Sequence, residues 1–187
     1  MTPAARRERF EFLYRGLYEP IAGYVLRRVA SPEDGAEVIA ETFATLWRRL
    51  DSCPPDEEVR PWLFGVARRV LANQRRGERR RSALAERLTS TIEPAAVPAP
   101  LGDDRVARAF STLSEADREV LALVAWEGLS REELAVALGA SRSVVRLRLH
   151  RARRRFEAAL ENETRAESLA ARARIPLAEG GRERECA

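Results

Sequence analysis

The sequence predicts an all-α protein built as two small helical domains joined by a flexible linker, the C-terminal one a helix-turn-helix. Three observations carry this. Apolar residues recur at helical spacing through most of the chain, and strand-like alternation is nearly absent. Thr89 to Asp103 is rich in Pro and Ala with no periodic apolar pattern, so it reads as a linker. Beyond it, short helical stretches alternate with capping residues and glycines. The expected boundaries are 6–88 for the first domain, 89–103 for the linker, 104–160 for the second domain and 161–187 for a charged tail. A length of 187 residues suits two small units.

The elements follow in order. A first helix spans about Arg6 to Ala30 and is bent or broken at Pro20, which lacks an N–H to donate. Ser31-Pro32-Glu33-Asp34 supplies an N-cap, a proline at the first helical position and two acids on the positive end of the helix dipole, opening a helix to about Leu50. Asp51-Ser52-Cys53-Pro54-Pro55-Asp56 is a loop, and a third helix runs from about Val59 and decays into the basic run Arg75 to Arg81. In the second domain Ser114 starts a helix that ends at Gly128. Ser130 with Glu133 forms a capping box for the next helix, which stops at Gly139. Ser141 caps a last helix that continues past Phe156. From about Asn162 the chain is charged, and its last dozen residues read as disordered.

Composition narrows the class. With 45% hydrophobic and 33% charged residues the chain builds a core and is soluble. No apolar run approaches the roughly 18 residues that span a membrane, and the polar, Arg-rich stretch Met1 to Arg9 is not a secretory signal. Cys53 and Cys186 alone support neither a disulfide framework nor a zinc site. These features describe a cytoplasmic protein. The net charge is +4, and all 33 basic residues are Arg, a codon bias of a G+C-rich genome before any functional meaning. No Gly-rich phosphate loop, metal cluster or nucleophile–base pair stands out, so neither an enzyme nor a cofactor is expected.

Charge distribution says more than the sum. Leu129 to Phe156 has the layout of a helix-turn-helix. On its last helix Val145, Leu149, Ala152 and Phe156 form one apolar stripe, while Arg142, Arg146, His150 and Arg153 line a neighbouring face. A recognition helix is built this way, burying one side and offering Arg to base edges in the major groove. A basic solvated helix in an ordinary bundle shares the Arg spacing but not the capped helix–turn–helix before it. His150 suits a phosphate or base contact and equally a plain surface position. In the N-terminal half, Ile39, Phe43, Leu46 and Leu50 form a stripe with Asp34, Glu37 and Glu41 nearly opposite. On the third helix Leu63, Val66, Ala67 and Val70 face inward, and Arg68, Arg69, Arg75, Arg76 and Arg79 fall on the other side. Separate acidic and basic surfaces suit two partners, a basic protein and a nucleic-acid backbone. Trp62 and Phe64 beside the basic face are candidates to stack on unpaired bases, although aromatics at this spacing more often belong to a core.

These residues resemble a known family. Ala36-Glu37-Val38-Ile39-Ala40-Glu41-Thr42-Phe43 with Trp47 resembles the polymerase-binding helix of extracytoplasmic-function (ECF) sigma factors, and Arg60-Pro61-Trp62-Leu63-Phe64-Gly65-Val66-Ala67-Arg68 the start of their promoter-melting helix. Leu113 to Phe156 resembles their second DNA-binding domain. The resemblance implies that Glu37, Glu41, Phe43 and Trp47 meet core RNA polymerase, the acidic face adding Asp34 to them. It assigns Asp51, Ser52, Asp56, Trp62, Asn73, Arg75, Arg76 and Arg79 to the minus-10 promoter element, the loop capturing a flipped base. It assigns Ser141, Arg142, Ser143 and Arg146 to the minus-35 element, and the Arg-lined face adds His150 and Arg153. An anti-sigma factor is the further partner it implies. The chain departs from the family pattern at Glu37 (usually Asp), Ala40 (usually Gln), Arg69 (usually Asn) and Ser143-Val144 (usually Gly-Thr). Two other readings stay open on the residues alone: a helix-turn-helix regulator that works without polymerase, and a sigma-like decoy that binds polymerase without reading promoters. The N-terminal half opposes the first and the Arg-lined last helix the second.

Overall fold

The computed structural model describes residues 1–86 and 104–173. Seven helices and no strand occur among them: α1 (Pro3–Leu26), α2 (Pro32–Arg49), α3 (Asp56–Glu86), α4 (Asp104–Ser111), α5 (Glu115–Ala125), α6 (Arg131–Leu138) and α7 (Arg142–Ala173). The linker read at 89–103 and the last dozen residues lie outside the described residues.

Local chemistry sets most boundaries. Thr2 caps α1, and Ser31 caps α2 by accepting from the Asp34 N–H at 3.1 Å. α1 does not break at Pro20. Leu13 and Leu17 before it and Ile21, Tyr24 and Val25 after it are all buried. Keeping them on one stripe outweighs the roughly 3 kcal/mol an interior proline costs. α3 begins three residues earlier than the sequence reading, because Asp56, Glu57 and Glu58 all favour the positive end of a helix. It also continues through the basic run instead of decaying there, since Arg is a good helix former.

α1, α2 and α3 form the N-terminal domain around Tyr24, Val38, Leu46, Leu50, Val59, Leu63 and Phe64, all essentially free of solvent. In the C-terminal domain Ser114 caps α5, and Ser130 and Glu133 complete a capping box on α6. Gly128 and Gly139 take φ of +65° and +59°, the left-handed conformation that glycine adopts without strain. Gly139 caps α6, and Gly128 lies in the turn after α5, which ends at Ala125, short of the expected stop at Gly128. Phe110, Leu113 and Ala122 pack with Trp126 and Phe156 to seat α4 and α5 on α7. α7 has 32 residues, a rod of about 48 Å. The first part of the expected charged tail therefore belongs to this helix, where Glu163 and Glu167 hold Arg108 of α4.

The two domains touch. α3 lies along α6 in the broadest contact between any two helices, and Val120, Leu123, Leu129, Leu134 and Ala137 share one core cluster with the N-terminal domain.

Asp117 gives the C-terminal domain an acid-sensitive joint. Its carboxylate accepts from Ser114 Oγ and from Arg155 Nη1, both at 2.7 Å, tying α5 to α7. Burial pushes its pKa up, but these two partners outweigh burial and hold it below the usual carboxylate value. A folded-state pKa below the unfolded one contributes stability above the unfolded value, about 3.9, which is lost as pH falls through the folded one. Arg155→Gln should therefore move the acid-unfolding midpoint, followed by circular dichroism, to higher pH. An unchanged midpoint would remove the joint from the account.

Candidate nucleic-acid interface

The start of α7 is built to present side chains outward. Val145, Leu149 and Ala152 are buried and Phe156 is half-buried, so the predicted stripe anchors the helix. Arg142, Ser143, Arg146, His150 and Arg153 are exposed on the other side, as is Ser141, whose hydroxyl accepts from the Val144 N–H at 3.4 Å. The sequence reading missed Val144 and Leu147, which are 40% and 47% exposed among these arginines. Their signal was their place off the buried stripe. An Arg comb carrying two exposed apolar groups offers guanidinium forks to base edges and phosphates, and methyl-sized surface to thymine.

A second open surface is the groove between α2 and α3. Glu37, Glu41 and Thr45 form one wall, and Trp62, Arg69 and Asn73 the other. The acidic and basic surfaces that looked separate in sequence thus meet along one groove. Trp62 is half-buried with a face open to it, while Asn73 and Arg76 are exposed and bonded to each other. Glu41 is exposed and pairs with Arg48, so the acidic wall is partly neutralised on its own helix.

The loop between α2 and α3 leaves Asp51, Ser52 and Asp56 exposed and is held from behind by α1. Arg6 pairs with Asp51 at 2.8 Å and donates to the Trp47 carbonyl, with its guanidinium 4.8 Å from the Trp47 ring. Arg9 pairs with Asp56 at 2.8 Å and donates to the Leu50 carbonyl at 3.2 Å. Neither Arg6 nor Arg9 was singled out in sequence, because their partners lie more than forty residues on.

Several candidates take other places. Phe64 is not available for stacking, since it is 1% exposed and packs edge-on against Tyr24 at 5.3 Å. Phe43 is buried beneath Tyr14 and Tyr18, leaving Trp47, 40% exposed, as the open aromatic of α2. Asp34 is half-buried and engaged by Ser31 Oγ and Gln74 Nε2, so it fastens the start of α2 to α3. Arg75 bonds Glu115 across the domain contact and donates to the Arg28 carbonyl within its own domain. Arg79 lies in α3, and its side chain is outside the described residues.

Comparison with known proteins adds to this geometry. Residues 13–81 match the family model for sigma-70 region 2, and residues 103–156 match that for sigma-70 region 4. The chain is 34% identical over 152 residues to the RNA polymerase sigma factor CnrH of Cupriavidus metallidurans, covering 74% of this chain and 80% of that protein. It is 30% identical over 146 residues to the sigma factor NccH of Alcaligenes xylosoxydans xylosoxydans, covering 73% and 78%. The ECF sigma factor SigL of Mycobacterium tuberculosis is 29% identical over 161 residues, covering 80% and 89%. Among solved structures, CnrH in complex with the cytosolic domain of CnrY superimposes with a TM-score of 0.58 at 26% identity over 83% of this chain and 90% of that one. The fold is shared with the sigma factor RpoE in complex with the anti-sigma factor NepR from Bartonella quintana, with a TM-score of 0.62 at 22% identity over 82% and 98%. With both regions in order and the relatives matched over most of their length, the chain belongs to the ECF sigma factors of the sigma-70 family.

Proposed function

We propose that this chain binds core RNA polymerase through α2 and directs promoter-specific transcription initiation through the α2/α3 groove and the start of α7. The observation that carries the reading is the groove itself, with Glu37 and Glu41 on one wall and Trp62, Arg69 and Asn73 on the other. A regulator that acted on duplex DNA alone needs no such surface. Glu37, Glu41 and Trp47 present charge and an aromatic face to a basic region of polymerase. Asp51, Ser52 and Asp56 offer acceptors to an unpaired base, Trp62 offers a stacking platform, and Asn73, Arg75, Arg76 and Arg79 follow the minus-10 strand. Ser141, Arg142, Ser143, Arg146, His150 and Arg153 serve the minus-35 duplex. Asp34 and Phe43 support α2 from within. No metal or cofactor has a part, and the chain is an initiation factor, not an enzyme.

Two of the solved relatives are sigma factors held by partners, CnrH by CnrY and RpoE by the anti-sigma factor NepR. An anti-sigma factor is accordingly the further partner proposed for this chain. No helix among the described residues is long and apolar enough to cross a membrane, and the proposed site of action is the cytoplasm, with polymerase. Run-off transcription on a linear promoter template tests the whole reading. Promoter-dependent product should appear with core polymerase and this chain together and with neither alone. Its absence on every candidate promoter, beside tight specific duplex binding by the chain alone, would instead favour the helix-turn-helix regulator.

Two substitutions divide the roles. Glu41→Arg replaces attraction with like-charge repulsion, costing on the order of several kcal/mol at the polymerase contact. Glu41 is exposed, so the variant should fold and fail to co-purify with core, and undiminished co-purification would remove Glu41 from that face. Arg146→Ala should cost about 1–3 kcal/mol of promoter binding and relax preference at one base pair. A loss equal on matched and scrambled sites would make Arg146 a phosphate contact instead.

A further inference from the structure

The contact between the domains is a charged seam of fixed polarity. In each ion pair across it among the described residues the cation comes from the N-terminal domain and the carboxylate from the C-terminal one. Arg27 Nη2 donates to both oxygens of Glu127 at 2.8 Å. Arg28 Nε donates to Glu119 at 3.1 Å, and the Tyr24 hydroxyl donates to the same carboxylate at 2.6 Å. Arg60 donates to Glu133 at 3.2 Å and to the Glu127 carbonyl, and Arg75 pairs with Glu115. Arg75 belongs at the same time to the basic side of α3 that the family resemblance assigns to the promoter, and Arg60 opens the motif at the start of that helix. A guanidinium fork accepts a carboxylate or a phosphate in the same geometry.

We propose that Arg27, Arg28, Arg60 and Arg75 form a phosphate-binding face of the N-terminal domain, and that Glu115, Glu119, Glu127 and Glu133 occupy it in place of DNA phosphates until the domains part. This rests on the reading of the N-terminal domain as DNA-binding and extends it to Arg27, Arg28 and Arg60. While the domains are together, the duplex meets only the arginines outside the seam. On opening, each seam arginine exchanges a carboxylate for a phosphate, and counterion release follows the number of phosphates gained.

Two openers of different kind test this. At Gly65 a Cβ would stand 2.6 Å from the Ala137 carbonyl oxygen, backbone against backbone, so Gly65→Ala wedges α3 from α6 with no change of charge. Alanine also favours the helix it sits in. Glu115→Gln with Glu133→Gln removes two of the carboxylates, and glutamine keeps the capping box of α6. Folding is checked by thermal melting and separation by small-angle X-ray scattering. The probe is a fluorescent non-promoter DNA duplex, titrated with the full chain without polymerase.

Both openers should bind the duplex at least about fivefold tighter than the parent. Adding Arg27→Ala and Arg60→Ala to Gly65→Ala should abolish the gain and lower the salt slope by about two. Unchanged affinity in both openers overturns the proposal, and so does a gain that survives loss of Arg27 and Arg60. Run-off transcription by the parent is measured in parallel, so a failure of the sigma-factor reading registers there, independently of the duplex titration.

Discussion

Arg28 and Glu127 face each other with side chains 4% and 3% exposed, and the closed arrangement of this protein depends on that pair. Neither charge tolerates burial alone. Breaking such a pair by removing one partner typically costs about 3–5 kcal/mol. Arg28 therefore needs the C-terminal domain, or another anion, to be present. Its guanidinium also lies 3.8 Å from the Tyr24 ring centroid and donates to the Tyr24 carbonyl, which fixes where it points. The seam is nonetheless imperfectly satisfied. Arg27 Nε and Arg28 Nη2 are buried with no hydrogen-bond partner among the described residues. A half-satisfied polar network is a weaker hold than its ion pairs alone suggest, which suits a contact that must be exchanged for another.

The arrangement separates what stays available from what is engaged. Arg146 and His150 remain exposed on α7, and the groove holding Trp62 and Asn73 remains open. Engaged by carboxylates are Arg27 and Arg28, just after α1, and Arg60 and Arg75 of α3. Arg142, at the start of α7, shares a cleft with Glu57 and Glu58 of α3. The main restriction is geometric. Two DNA-binding units pressed together do not match two promoter elements spaced along a duplex, and tethered units act jointly only when something holds them at the right separation. On the reading proposed above, a polymerase surface that takes the acidic wall of α2 would supply that separation.

Much of this was legible from local chemistry. The caps at Ser31, Ser114 and Ser130, the glycine stop at Gly139, and the Val145–Leu149–Ala152 stripe depend on residues within a few positions of one another, so the sequence displays them directly. What depends on distant partners was not. Phe64 looks like a surface aromatic beside arginines until Tyr24 of α1 covers it. Pro20 looks like a break until the buried residues on either side are seen to need one stripe. The seam does not set acidic α2 against basic α7, the two faces whose charge the sequence displays most openly. The glutamates that matter sit on α5 and α6 and in the turn before Ser130, where the sequence reads as ordinary solvated charge.

We propose that the free chain is closed by the Arg–Glu seam and opened by polymerase. Energy transfer between dyes on exposed Glu19 of α1 and exposed Glu161 of α7 tests it most directly, read in the chain alone and after adding core polymerase. Transfer should be high in the free chain, fall as salt rises, and collapse on binding core. Low transfer in the free chain at low salt, or high transfer that persists on core polymerase, would contradict it.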